Sequence, residues 1–178
     1  MELTEKKLAG KDIFSGRVFD VHVDTILRPD GKSATREVVE HPGGVTILPL
    51  TDANEIVMVR QFRYAKKQVL LEIPAGKLEA GEDPLACAKR ELREETGYTA
   101  EEIIDLGHIY PTPGYCAETI YLYAGMGLHP GQNDPDDGEF LELELVPFAR
   151  AVDLIVRGEI VDAKTCVAVL KLKEILHL

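Results

Sequence analysis

Two glutamates four positions apart, Glu91 and Glu95, lie in the run Arg90-Glu91-Leu92-Arg93-Glu94-Glu95. On a helix of about 3.6 residues per turn they project about 40° apart, toward one spot. Like charges at that spacing destabilise an isolated helix by roughly 0.2–0.5 kcal/mol. Glu94 and Glu82 add negative charge nearby, so a positive group is expected among them. Arg90 can pair with Glu94 one turn on. Carboxylate oxygens without His or Cys companions suit a hard cation. Mg²⁺ in particular is commonly held by one or two carboxylates while phosphate oxygens and waters complete its octahedron. The chemistry that follows is phosphate-ester or pyrophosphate cleavage, although a solvated acidic helix face explains the triplet of glutamates equally well. Arg60 and Arg63, at the end of a predicted strand, can grip phosphate through bidentate hydrogen bonds. Their plainer reading is as surface arginines.

The elements that must position these groups are legible from pattern. Residues 84–96 read as a helix: Asp83 can cap it, Pro84 suits its first position and Gly97 can close it. Leu85, Ala88 and Leu92 form its docking stripe, bordered by Glu91 and Glu95. Residues 45–50, 56–62, 69–73, 103–110, 119–124 and 139–145 read as strands, and 148–157 and 162–176 as closing helices. Before them, residues 13–40 are extended, with a Pro29-Asp30-Gly31 hairpin signal, and His41-Pro42-Gly43-Gly44 breaks the pattern. The organisation expected is α+β: a small N-terminal antiparallel β-domain over residues 1–43, then a catalytic domain over residues 44–178 with a mixed β-sheet sandwiched between helices. So small a sheet cannot bury both faces alone and should pack on the main domain or on a second subunit.

The bulk numbers narrow the function. With 178 residues and 45% hydrophobic content the chain can bury a sizeable core. Its formal charge of -11 disfavours nucleic acid and anionic membrane surfaces as partners, which reward clustered Lys and Arg. The polar start of the chain has no signal-peptide pattern and no segment reaches bilayer length, so a cytoplasmic location is expected. Cys87, Cys116 and Cys166 lack Cys-x-x-Cys spacing and read as buried small apolar residues.

The full spacing says more than the glutamates do. Gly76-x5-Glu82-x7-Arg90-Glu91-Leu92-x-Glu94-Glu95-x-Gly97 matches every fixed position of the Nudix box, with Tyr98 replacing the final bulky aliphatic residue. The chain thus resembles the Nudix hydrolases. That resemblance implies a metal-binding loop-helix-loop, with Glu91, Glu95 and the carbonyl of Ala75 as ligands and Glu94 contributing directly or through water. Mg²⁺ is the implied metal, and Mn²⁺ or Zn²⁺ could share such a site.

Outside the box the chain is similar to the ADP-ribose pyrophosphatase subfamily over nearly its whole length. The supporting pieces are Val59-Arg60-Gln61-Phe62-Arg63, Glu72-Ile73-Pro74-Ala75-Gly76-Lys77, Pro113-Gly114-Tyr115 and Asp162-Ala163-Lys164-Thr165. Pro113 stands where that subfamily carries its marking proline. The likeness implies substrate contacts from Arg36 and Glu37, from Glu79 and Glu82 in the box, and from Thr112, Gly114 and Glu118 in the later loop. It also implies a homodimer whose subunits exchange their N-terminal sheets. The plainer reading of Arg36 and Glu37 is an ordinary cross-strand ion pair.

The reaction implied is attack of water on ADP-ribose, giving AMP and ribose 5-phosphate. The carboxylate that handles the water is expected in the loop of residues 134–139, with Glu139 first and Asp137 second. Two other readings stand beside this one. Another nucleotide sugar such as GDP-mannose would use the same metals. A non-turning ADP-ribose sensor would be expected to lose box glutamates that this chain keeps.

Overall fold

In the computed structural model, residues 3–132 and 140–178 are described, and they form two compact units. The first comprises Met1–Gly43 with Tyr110–Thr119, the second Gly44–Ile109 with Ile120–Leu178.

The first unit is an antiparallel sheet in the order β1 (Lys6–Ser15), β2 (Asp20–Leu27) and β3 (Ser33–Glu40). The β2–β3 turn falls on the predicted Asp-Gly step, where Gly31 takes the left-handed φ of 79°. β1 begins earlier than the pattern suggested. It is solvent-exposed along its whole length, so no buried face imposes the period-two alternation that reveals a strand. Segment Tyr110–Thr119 clusters with this sheet because its backbone completes the edge of β3: Val39 N donates to Tyr115 O at 2.8 Å and Ala117 N to Val39 O at 2.9 Å.

The second unit holds two sheets. One is mixed and four-stranded, in the order β7 (Ala75–Lys77), β4 (Gly44–Pro49), β9 (Ile120–His129), β8 (Thr99–Ile109), with only β4 and β9 parallel. The other is antiparallel: β10 (Leu141–Pro147), β5 (Glu55–Arg63), β6 (Gln68–Glu72). Strand alternation divides the core. Val45, Ile47 and Tyr123 face the helix α1 (Pro84–Thr96) through Cys87, Ala88 and Leu92. Leu48, Leu122 and Ala124 join the larger cluster that takes in α2 (Phe148–Val156) and α3 (Ala163–Leu176) through Ala151, Ala168, Val169 and Leu172. The mixed sheet is thus covered by helices on both faces, as expected of an α+β chain.

α1 ends where its sequence signals say. Asp83 accepts from Ala86 N at 2.9 Å, Pro84 opens the helix, and Gly97 closes it at φ 77° while donating to Arg93 O. A side-chain cap of this kind contributes about 1 kcal/mol. α3 is capped likewise by Asp162 through Thr165 N at 3.0 Å.

Candidate active site

Helix α1 carries its glutamates inward as well as its apolar stripe. Glu91 is 9% exposed and Glu95 only 3%. Burying carboxylates is costly unless they are paired or bind a cation, and the structure shows what meets them. Arg90 donates to Glu91 at 2.7 Å, to Glu94 at 2.9 Å, and to both oxygens of Glu82 at 3.0 and 3.1 Å. That single guanidinium joins three of the box glutamates. The hydrogen bonds from Arg90 and from the Glu79 backbone hold the Glu82 carboxyl at about 2, well below its usual range.

The chain segment opposite α1 supplies the remaining groups. Ala75 N donates to Glu95 Oε2 at 3.2 Å, which brings the Ala75 peptide to the helix face that carries Glu91 and Glu95. Gly76 leaves the space that the Glu91 carboxylate occupies. A Cβ on it would lie 1.8 Å from Glu91 Oε1, deep inside van der Waals contact. Glu79 and Glu82 close the turn before the helix, with Glu79 N donating to Glu82 Oε2 at 3.0 Å and Glu82 N to Glu79 O at 3.1 Å.

The donor set fits a hard divalent cation and falls short of a complete cage. Among the described residues, no three His, Cys, Asp or Glu side chains are gathered as a ready-made metal site. Two buried carboxylates beside the Ala75 peptide match a cation that takes its other ligands from phosphate and water, as Mg²⁺ does. Cys87 contributes no thiolate: burial raises its pKa to about 12.

Arg60 and Arg63, expected from the sequence as a phosphate clamp, have different partners in the structure. Residues three apart on a strand point to opposite faces. Arg60 pairs with Glu144 at 2.6 Å on one face of β5. Arg63 grips Glu72 through two parallel hydrogen bonds of 2.8 and 2.7 Å on the other. Arg63 also feels the charge of Glu95, one of several carboxylates that raise its pKa, the Glu72 hydrogen bond being the largest. Through Glu72 it is tied to the segment that leads into Ala75 and Gly76.

The other expected contacts belong to the first unit. Arg36 is engaged by Glu5, at 3.0 Å through Nε and through a second, shorter contact, while Glu37 lies opposite Val23 in the sheet. The ion pair thus runs from Arg36 to residue 5 and not to its strand neighbour. The Thr112 carbonyl accepts from Tyr115 N and Cys116 N at 3.3 and 3.1 Å. A Cβ at Gly114 would meet nothing within 4 Å, and Glu118 faces His41 at 3.6 Å. Asp137 and Glu139 lie outside the described residues.

The geometry just given belongs to a region whose family can be recognised. A family model described as the NUDIX domain matches residues 40–165. The chain belongs to the Nudix family. Nudix hydrolases generally need a divalent metal. It is 42% identical to an ADP-ribose pyrophosphatase of Bacillus subtilis (98% of this chain, 97% of the relative). It is 43% identical to a methanol dehydrogenase activator of Bacillus methanolicus (97% and 95%), and 34% identical to a GDP-mannose pyrophosphatase of Escherichia coli K12 (86% and 87%). Its fold matches a solved structure described as an ADP compounds hydrolase with a TM-score of 0.87 at 22% identity, over 99% of this chain and 97% of that one. No helix of the Nudix chain, among the described residues, is long and apolar enough to cross a membrane.

Sequence reasoning missed one part of this region. Glu72, 1% exposed, ends β6 directly after the apolar run Val69, Leu70 and Leu71. Its signal was available: a lone acidic residue in an apolar run needs a buried partner. The partners themselves, Arg63 and Lys164, could not be named from local sequence.

Proposed function

We propose that this protein hydrolyses the pyrophosphate of ADP-ribose to AMP and ribose 5-phosphate with Mg²⁺ bound at the box. The observation that carries the reading is the pair of buried carboxylates, Glu91 and Glu95, set against the Ala75 peptide. The kinship of the whole chain with an ADP-ribose pyrophosphatase gives the substrate. Glu91, Glu95 and the Ala75 carbonyl hold the metal, and Glu94 assists directly or through water. When bound, the metal neutralises charge on the reacting phosphates.

The chain's own groups do the rest. Glu139, or failing it Asp137, accepts a proton from the attacking water as its oxygen bonds to phosphorus. The bridging P–O bond then breaks and leaves the second phosphate as product. Arg63, held rigid by Glu72, faces the phosphates from the side of Glu95. Glu79, Glu82, Thr112, Gly114 and Glu118 contribute to substrate binding, and Arg36 and Glu37 reach the adenine of a partner's site. A homodimer with exchanged N-terminal sheets is supported by the exposed apolar residues of the first unit, Leu8, Ile13, Phe14, Val18 and Phe19. A cytoplasmic site of action agrees with this chemistry.

The test is a substrate panel: ADP-ribose, GDP-mannose, ATP and diadenosine tetraphosphate, each with and without Mg²⁺, with products separated by chromatography. AMP released from ADP-ribose only with metal is the expected result. A second reading, hydrolysis of GDP-mannose, is favoured by the relative of that name and predicts GMP instead. The name of the other relative suggests a further arm, in which the protein is added to a methanol dehydrogenase and its rate followed. Tight ADP-ribose binding without turnover would make the protein a sensor.

A further inference from the structure

The Asp162-Ala163-Lys164-Thr165 turn lies far in sequence from the box, yet its side chains reach the segment that leads into it. Lys164 Nζ donates to Glu72 through a short contact and to Asp162 Oδ1 at 2.9 Å. Thr165, fully buried, donates its hydroxyl proton to Asp162 Oδ2 at 2.6 Å and accepts from Ile73 N at 3.0 Å. With the Arg63 pair, Glu72 accepts from two cations. Asp162 and Glu72 thereby balance Lys164 and Arg63, leaving a quartet without net charge.

The next residues are clamped as tightly. The Pro74 carbonyl accepts from Ile47 N at 3.0 Å and from Thr46 Oγ1 at 2.8 Å. The Ala75 amide then meets Glu95. From residue 72 to residue 75, every step is pinned by a polar group from another element.

An ion network around a buried carboxylate is weak evidence for stability, because desolvation offsets most of the attraction and apolar residues of equal volume often serve as well. What such a network does supply is a defined position. Partners one shell out from metal ligands commonly change metal affinity or activity by about 10- to 100-fold when removed.

We infer that Glu72, Lys164 and Thr165 are positioning residues that hold the segment 72–75 so that the Ala75 carbonyl and Glu95 present a single metal-binding geometry. The inference rests on the metal-dependent reading given above. None of the three touches the substrate or the metal; they act through the backbone of Ile73, Pro74 and Ala75.

The test uses Thr165→Val, which keeps the volume and removes the hydroxyl, and Thr165→Ser, which restores it. Mn²⁺ affinity is measured by electron paramagnetic resonance without substrate, alongside kcat, KM and the thermal midpoint. Thr165→Val should fold cooperatively, bind Mn²⁺ about 10-fold more weakly or worse, and lose kcat more than KM. Thr165→Ser should recover most of both. Should Thr165→Val not fold, Lys164→Met is the variant to read, since it keeps most of the side-chain length and leaves Glu72 its pair with Arg63. A folded variant with a lowered midpoint and unchanged Mn²⁺ affinity and kcat would reduce the network to a structural brace and overturn the inference. Wild-type protein serves as the control for the underlying reading. If it binds no Mn²⁺ and cleaves no nucleotide sugar, the reading of the box fails and takes the inference with it.

Discussion

Gly76 and Glu91 occupy space that only a missing side chain makes available: a Cβ on Gly76 would sit 1.8 Å from Glu91 Oε1 and 1.9 Å from its Cδ. The group in the way is the free end of a flexible side chain, so the backbone need not move. Gly76→Ala should therefore fold with a thermal midpoint near that of the wild type while the Glu91 carboxylate is turned away. Mn²⁺ affinity and kcat should both fall, by about 10- to 100-fold. A large loss of stability with intact metal binding would show that the glycine serves the loop and not the carboxylate.

The two arginines of β5 should separate in a kinetic comparison. Arg60 and Arg63 lie on opposite faces of the strand, and Arg63 is the one that grips Glu72, three residues before Ala75. Arg63→Ala leaves the buried Glu72 with Lys164 as its remaining cation, a smaller loss than breaking a wholly buried pair because Arg63 is 41% exposed. It is expected to destabilise the fold and weaken substrate binding. Arg60→Ala removes a largely exposed ion pair of about 0–1 kcal/mol and should leave KM within a few-fold of wild type. Equal KM effects from the two would revive a shared clamp.

Glu139 lies outside the described residues, so its role is tested by kinetics alone. Glu139→Gln should lower kcat by roughly 100-fold or more, the scale of general-base catalysis, with little change in Mn²⁺ affinity. A near-normal Glu139→Gln together with a slow Asp137→Asn would move the role to Asp137.

Acid should unfold the protein partly through Glu72. Burial would raise the carboxyl's pKa, but the Arg63 and Lys164 contacts outweigh it and lower the value from 4.5 to about 2. A depressed folded-state pKa means stability that is fully present above about pH 4.5 and is lost as pH falls toward 2. Asp162, beside Lys164, belongs to the same charge balance. Urea midpoints measured from pH 7 to pH 2 should fall in that window for wild type. The Glu72→Gln variant should begin lower and lose less across the same window. Parallel curves would assign the acid sensitivity to other carboxylates.

Much of the site was legible because its determinants are local. Helix α1 runs from Pro84 to Thr96 as its end signals require: an Asx cap, a proline at the first position and a left-handed glycine are decided within a few residues. The convergence of Glu91 and Glu95 follows from helical period alone. The box spacing carried the family for the same reason, since loop, turn and helix are contiguous in the chain.

Other features depended on partners distant in sequence. β1 showed no pattern because neither of its faces is buried. Segment Tyr110–Thr119 joined the first unit through backbone hydrogen bonds to Val39, which carry no residue-type signature. Lys164 meets Glu72 across 92 positions, and Arg60 and Arg63 acquired different partners once strand alternation sent them to opposite faces. By itself, the sequence determined the helix, its carboxylates and their spacing, because short-range geometry is written in neighbouring residues. Only the tertiary structure decided which buried charges meet, because that choice depends on packing between elements far apart in the chain.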